Sequence, residues 1–129
     1  MPLSSPALVE ATILNDARTI YRSPLMKQIR EAFSRRLEAK VKIGSYYIQY
    51  EPQVPVSISA MTDFKGNGFT LGAHAFSSED EFKKTLLHEL YRLHMSEIGR
   101  GRPVEPRNTN VRSETDAAWQ FAERYYKQV

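Results

Sequence analysis

The apolar residues of this chain change their spacing twice, and that limits its fold more than any other feature. Over residues 7–22, Val9, Ile13, Ala17 and Ile20 recur at helical spacing. Ser23-Pro24 then interrupts, because the residue before a proline avoids the α region and proline suits a first helical turn. Residues 25–40 resume the helical period and predict a second helix that buries Leu25, Ile29, Phe33 and Leu37. Residues 42–51 switch to a strand rich in β-branched and aromatic side chains: Ile43, Tyr46, Tyr47, Ile48 and Tyr50. Pro52 and Pro55 follow, and residues 56–61 alternate with period two as a half-buried strand. Lys65-Gly66-Asn67-Gly68 is a turn signal, since glycine and asparagine tolerate positive φ. Phe69-Thr70-Leu71 follows as a third strand, so residues 56–72 should form a hairpin.

After Ser77 or Ser78, either a suitable cap, the helical period returns with Phe82, Leu86, Leu90 and Leu93, and Gly99 is the expected stop. A last helix is expected from a Ser113 cap to about residue 127, burying Ala118, Phe121, Ala122 and Tyr125. Helices at both ends of an alternating middle predict an α+β domain. It would have two N-terminal helices, a short antiparallel sheet of about three strands, and two C-terminal helices. The length of 129 residues suits one domain: a helical segment to residue 40, a sheet over 41–72, and helices over 77–127.

Composition narrows the chemistry. Without cysteine there is no disulfide framework, no thiolate nucleophile and no Cys-ligated zinc. No apolar run reaches the roughly 20 residues of a helical membrane span. The first residues lack the basic and apolar regions of a secretory signal. Eighteen Lys and Arg against fifteen Asp and Glu leave a net charge of +3. Positive charge gathers in residues 27–42 and again in 100–112, which suits either solvated surface or a phosphate-binding face. No nucleotide-binding glycine motif and no acidic cluster with metal spacing is present, so no cofactor is expected.

The densest run of reactive groups is His88-Glu89-Leu90-Tyr91-Arg92-Leu93-His94. On a helix, Thr85, His88, Glu89 and Arg92 share a polar strip beside the apolar stripe. His-Glu opens the zincin metalloprotease motif, but the second ligand position holds Arg92, which cannot bind zinc. His94, about 600° further round at ~100° per residue, points elsewhere. The types present suit metal-independent phosphodiester cleavage: histidine to move a proton, glutamate to fix its tautomer, and arginine to hold the phosphate. An ion-paired helix surface would use the same residues.

Three spaced blocks extend that cluster: Met61-Thr62-x-Phe64-x-x-Asn67-Gly68-Phe69-x-Leu71-Gly72-x-x-Ala75-Phe76, Lys84-Thr85-Leu86-Leu87-His88-Glu89-Leu90-Tyr91-Arg92-Leu93 and Glu114-Thr115-Asp116-Ala117-Ala118-x-x-Phe121-Ala122-Glu123. Together they resemble the C-terminal toxin domains of bacterial polymorphic toxins of the contact-dependent-inhibition and Rhs type, over roughly residues 44–126. The resemblance implies an antibacterial effector tip, secreted or surface-delivered within a larger protein and acting in the target cytoplasm. It implies a cognate immunity protein as partner, and ribonuclease activity with tRNA as the leading substrate; a host translation factor is a further candidate partner. Carried over by position, the catalytic candidates are His88, Glu89, Arg92, Glu114 and Thr115. Tyr91, Arg100, Arg102, Arg107 and Arg112 are candidates for substrate binding. No metal ligand is expected. The alternatives are a zincin-related peptidase toxin and a non-enzymatic nucleic-acid-binding module.

Overall fold

A computed structural model of the chain describes residues 6–55, 58–63, 65–95 and 109–129, with the side chains of 6 and 109–116 left aside. The N-terminal helix α1, Pro6–Arg22, buries Val9, Ile13, Ala17 and Ile20, as their spacing predicts. Helix α2 is shorter than its sequence period suggests, spanning Met26–Arg35. Its buried stripe is Met26, Ile29 and Ala32, while Leu25 is exposed and Leu37 is 56% exposed. The cause is at its C-terminus. Arg36 adopts the left-handed conformation (φ 58°), its N–H bonds Phe33 O, and the Leu37 N–H bonds Ala32 O. That is a Schellman stop, usually made with glycine, and it throws Leu37 outward.

The chain released there enters strand β1, Ala39–Ile43, which pairs antiparallel with β2, Tyr46–Tyr50. The expected single strand over 42–51 is therefore a hairpin. Gly44, at φ 62°, occupies the first of two loop positions, where a type II′ turn needs a glycine. Strand β3, Ala60–Asp63, and strand β4, Gly68–Leu71, form the second hairpin, with Asn67 left-handed at φ 54° in its turn. The sheet has four strands in the order β1-β2-β4-β3, and β2 pairs with β4 in parallel. It is a mixed sheet, not the antiparallel one of about three strands that the alternation suggests. The chain leaves β2, crosses to the far edge to make β3, and only then returns to fill the gap with β4.

A 3-10 turn, Ala73–Phe76, leads to helix α3, Glu79–Met95, whose cap is Ser78: its Oγ accepts the Glu81 N–H at 3.0 Å. Helix α4 spans Thr109–Tyr125, so it starts before the Ser113 expected as its cap. The expected stop at Gly99 lies outside the described residues. One apolar core joins the inward face of the sheet (Val41, Ile43, Ile48, Tyr50, Phe69, Leu71) to α1, α2, α3 and α4. Phe33 stacks on Phe76 at 4.3 Å, with Tyr50 edge-on to both, closing one end of that core. No described helix is long and apolar enough to cross a membrane.

Candidate functional site

The apolar stripe of α3 turns Phe82, Leu86, Leu90 and Leu93 into the core, and the polar strip beside it follows them in. His88 is 5% exposed, Glu89 is 1% exposed and Thr85 is buried. An ion-paired surface would leave these groups in water, so the helix-surface alternative does not describe them. Thr85 satisfies its hydroxyl locally, donating to Glu81 O at 2.8 Å. The other groups form a connected chain across two elements.

Strand β3 supplies the link. Thr62 stands opposite Phe69 in the β3–β4 register, and so on the inward side of the edge strand. Arg92 Nη1 donates to Thr62 Oγ1 at 3.0 Å, and Thr62 Oγ1 donates to Glu89 Oε1 at 2.5 Å. The second carboxylate oxygen, Oε2, lies 2.8 Å from His88 Nδ1. A carboxylate only accepts, so Nδ1 carries the proton and donates. In a neutral ring the lone pair is then on Nε2. That nitrogen is buried and has no hydrogen-bond partner among the described residues. A buried polar atom without a partner is uncommon and invites a ligand as its explanation. The chain's single tryptophan, Trp119 of α4, stacks on the imidazole at 4.0 Å and 24°, fixing the ring plane with a face that favours the imidazolium.

His88, Glu89 and Arg92 are thus brought together. Tyr91 is directed to packing, its ring 5.2 Å from Phe121. Arg100, Arg102 and Arg107 lie outside the described residues. Arg112, which precedes the helix expected from Ser113, is on helix α4 with Glu114 and Thr115, and the side chains of all three lie outside those described. Two participants are absent from the sequence-based set. Thr62 continues the alternation of Val56, Ile58 and Ala60, so its side of the strand is readable once the strand expected over 56–61 is extended by one residue. Trp119 offers no signal except that the chain has no other tryptophan.

The remaining histidines have other work. His74, half exposed, lies 3.7 Å from Glu81. His94 Nε2 is 3.1 Å from the Tyr46 hydroxyl and 3.5 Å from Asp16 Oδ2, joining the C-terminal turn of α3 to β2 and α1. Among the basic residues of the second helix, Arg30 forms a two-pronged bond to Glu79 at 3.0 Å and covers Phe82 at 4.5 Å. Hydrogen bonds from Tyr21 and Arg30 hold the Glu79 carboxyl below its ordinary range. Arg30 is therefore engaged within the protein, tying helix α2 to the start of α3. Among the described residues no group of three or more His, Asp or Glu side chains is placed to hold a metal ion. No protein-family model matches the chain, and no curated protein or solved structure matches it either.

Proposed function

We propose that this domain is an antibacterial toxin tip that cleaves RNA without a metal, with His88 moving the proton. The observation that carries this reading is the buried imidazole held through Nδ1 by Glu89, with Nε2 unpartnered among the described residues and Arg92 one turn away. A histidine fixed in that tautomer is a base on one side only. In the step proposed, a movement of the chain uncovers the buried Nε2, which takes the proton of a ribose 2′-hydroxyl, and the 2′-oxygen attacks phosphorus. The bond from phosphorus to the 5′-oxygen then breaks, and the imidazolium returns the proton to that departing oxygen. The products are a 2′,3′-cyclic phosphate and a 5′-hydroxyl. Glu89 and Trp119 both favour the transient imidazolium, and Arg92 offers a permanent charge to the phosphorane oxygens. DNA, which lacks the 2′-hydroxyl, is not a substrate of this step. The effector setting, the immunity partner and the tRNA preference rest on the three sequence blocks.

The test is incubation of purified protein with total bacterial RNA in excess chelator, followed by end-group analysis. Cyclic-phosphate ends should form, and His88→Gln should lower the rate by roughly 10²–10⁴-fold. Cleavage that needs an added divalent ion, or that survives His88→Gln, overturns the reading.

A further inference from the structure

The described helices that pack on the sheet pack on one side of it, and the other side is built from a different set of residues. Strand alternation and register lay them out in two rows across the four strands. One row runs Lys42, Tyr47, Gly68, Asp63 and the next runs Lys40, Gln49, Thr70, Met61. Tyr47 is 39% exposed and Met61 is 45% exposed. The Nζ atoms of Lys40 and Lys42 stand 4.9 and 5.4 Å from the centre of the Tyr47 ring. Beside that ring the third position of its row is Gly68, buried and closely backed by Tyr47. It cannot acquire a side chain, as a Cβ there would fall 2.2 Å from the Tyr47 carbonyl oxygen. The same face holds a shallow hollow of about 120 Å³ whose lining includes Lys40, Tyr47, Gln49, Thr70 and the acidic Asp63.

We infer that this outer face binds single-stranded RNA, with a base stacked on the exposed Tyr47 ring and adjacent phosphates on Lys40 and Lys42. An exposed ring flanked by ammonium groups on an open sheet is what a nucleobase with its phosphate requires: a π-face for the base and cations beside it for the backbone. Gln49 gives its Nε2 to Glu51 Oε2 at 2.6 Å, so its amide oxygen and the Thr70 hydroxyl are the neutral groups left for a base edge, and Asp63 at the end of the first row keeps phosphates toward the lysine side. The two lysines, charge-complementary to a polyanion, argue for RNA over a protein partner. The surface also connects to the site described above. Edge strand β3 turns Thr62 inward to Glu89 and Arg92, and turns Met61 and Asp63 outward to this face. A strand of RNA crossing the sheet from β1 would leave it over the edge that carries the catalytic chain. The choice of RNA rests on the ribonuclease reading; the stacking surface itself does not use His88.

The test is fluorescence anisotropy of a labelled single-stranded RNA oligomer with the His88→Gln protein, which keeps the oligomer intact. Tyr47→Ala should weaken binding by roughly 10-fold or more, while Tyr47→Phe, which keeps the ring, should bind as the parent does. Lys40→Ala combined with Lys42→Ala should weaken binding and flatten its salt dependence, by about 0.7 in the logarithmic slope for each phosphate no longer neutralised. Both lysines are exposed, so that variant folds even where a change at Tyr47 disturbs the hairpin. Parent-like affinity in both Tyr47→Ala and the double-lysine variant overturns the inference. So does a loss on lysine removal alone, which would mark a plain polyanion surface. If these variants lose binding while the unaltered protein cuts no RNA, the catalytic reading fails and this one stands. Undiminished cutting and binding by Tyr47→Ala would do the reverse.

Discussion

His88 and His94 lie six residues apart on one helix and are held in opposite ways. His88 gives its Nδ1 proton to Glu89, leaving Nε2 without a partner among the described residues. His94 uses Nε2. The Tyr46 hydroxyl has one proton and donates it to Asp16 Oδ2 at 2.6 Å, so the 3.1 Å contact to His94 has Nε2–H as donor. One ring therefore presents a lone pair and the other has its proton tied down. Their surroundings differ as well. Glu89 is sealed between a helix and a sheet edge, whereas Asp16 keeps part of its carboxyl in water. A titratable pair with one atom left over suits chemistry, and a triad with its described contacts closed suits the joining of three elements.

The largest effect that would break this contrast is on stability. Removing the carboxylate in Glu89→Ala strands the His88 Nδ1 proton and the Thr62 hydroxyl in a buried place, at a cost of roughly 3 kcal/mol. The equivalent change at the other histidine, Asp16→Ala, leaves groups that water can reach, and should cost about 1 kcal/mol or less. Urea unfolding of the two variants beside the parent measures both. Equal losses would mean that the two clusters are equally buried in solution, and the functional distinction drawn from burial would fall.

How much of this is legible in the residues follows from which forces act locally. The helical stripes of α1 and α3 and the turn at Lys65–Asn67 depend on near neighbours, and periodicity and turn chemistry place them. The end of α2 depends on Arg36 accepting a conformation that glycine usually takes, which no pattern in the residues announces. The split of residues 42–51 into two strands hangs on a single glycine, Gly44, set among β-branched and aromatic side chains that favour strand. The parallel pairing of β2 with β4 is a choice made between segments about twenty residues apart, and hydrophobic alternation is the same for either direction. For the site, helix geometry alone puts His88, Glu89 and Arg92 on one strip. That the strip is buried, and that Thr62 completes it, requires the far side of the contact.

The second way to sharpen the comparison is acid. Burial acts to raise the Asp16 carboxyl, but hydrogen bonds from His94 and Tyr46 and the charge of His94 outweigh it, and the net shift is downward. A carboxyl lowered on folding adds stability that is complete above its unfolded value, near pH 4, and disappears as pH falls through the lower folded value. Asp16→Asn removes that contribution. The gap in unfolding free energy between parent and variant should therefore shrink by up to about 1 kcal/mol as pH falls below about 4. Because Glu79 is lowered as well, the parent alone will lose stability in the same range, and only the difference between the two proteins isolates Asp16. A gap that widens as pH falls below about 4 has the wrong sign for this cluster.

The smallest expected effect isolates the hydroxyl that joins the second cluster. Tyr46→Phe keeps the ring that packs on the core and deletes the oxygen between Asp16 and His94. The loss should be about 0.5–1 kcal/mol, as for one hydrogen bond, because His94 Nε2 already stands 3.5 Å from Asp16 Oδ2 and can turn to it directly. Two consequences separate this from general damage. The Asp16 carboxyl, followed by NMR through a pH titration, should move up toward its ordinary value, since one of the groups lowering it has gone. RNA cleavage should be unchanged, since nothing in the chain from Arg92 through Thr62 and Glu89 to His88 passes through Tyr46. A fall in cleavage as large as that caused by His88→Gln would show that the two histidines act in one site, and the division between them would have to be abandoned.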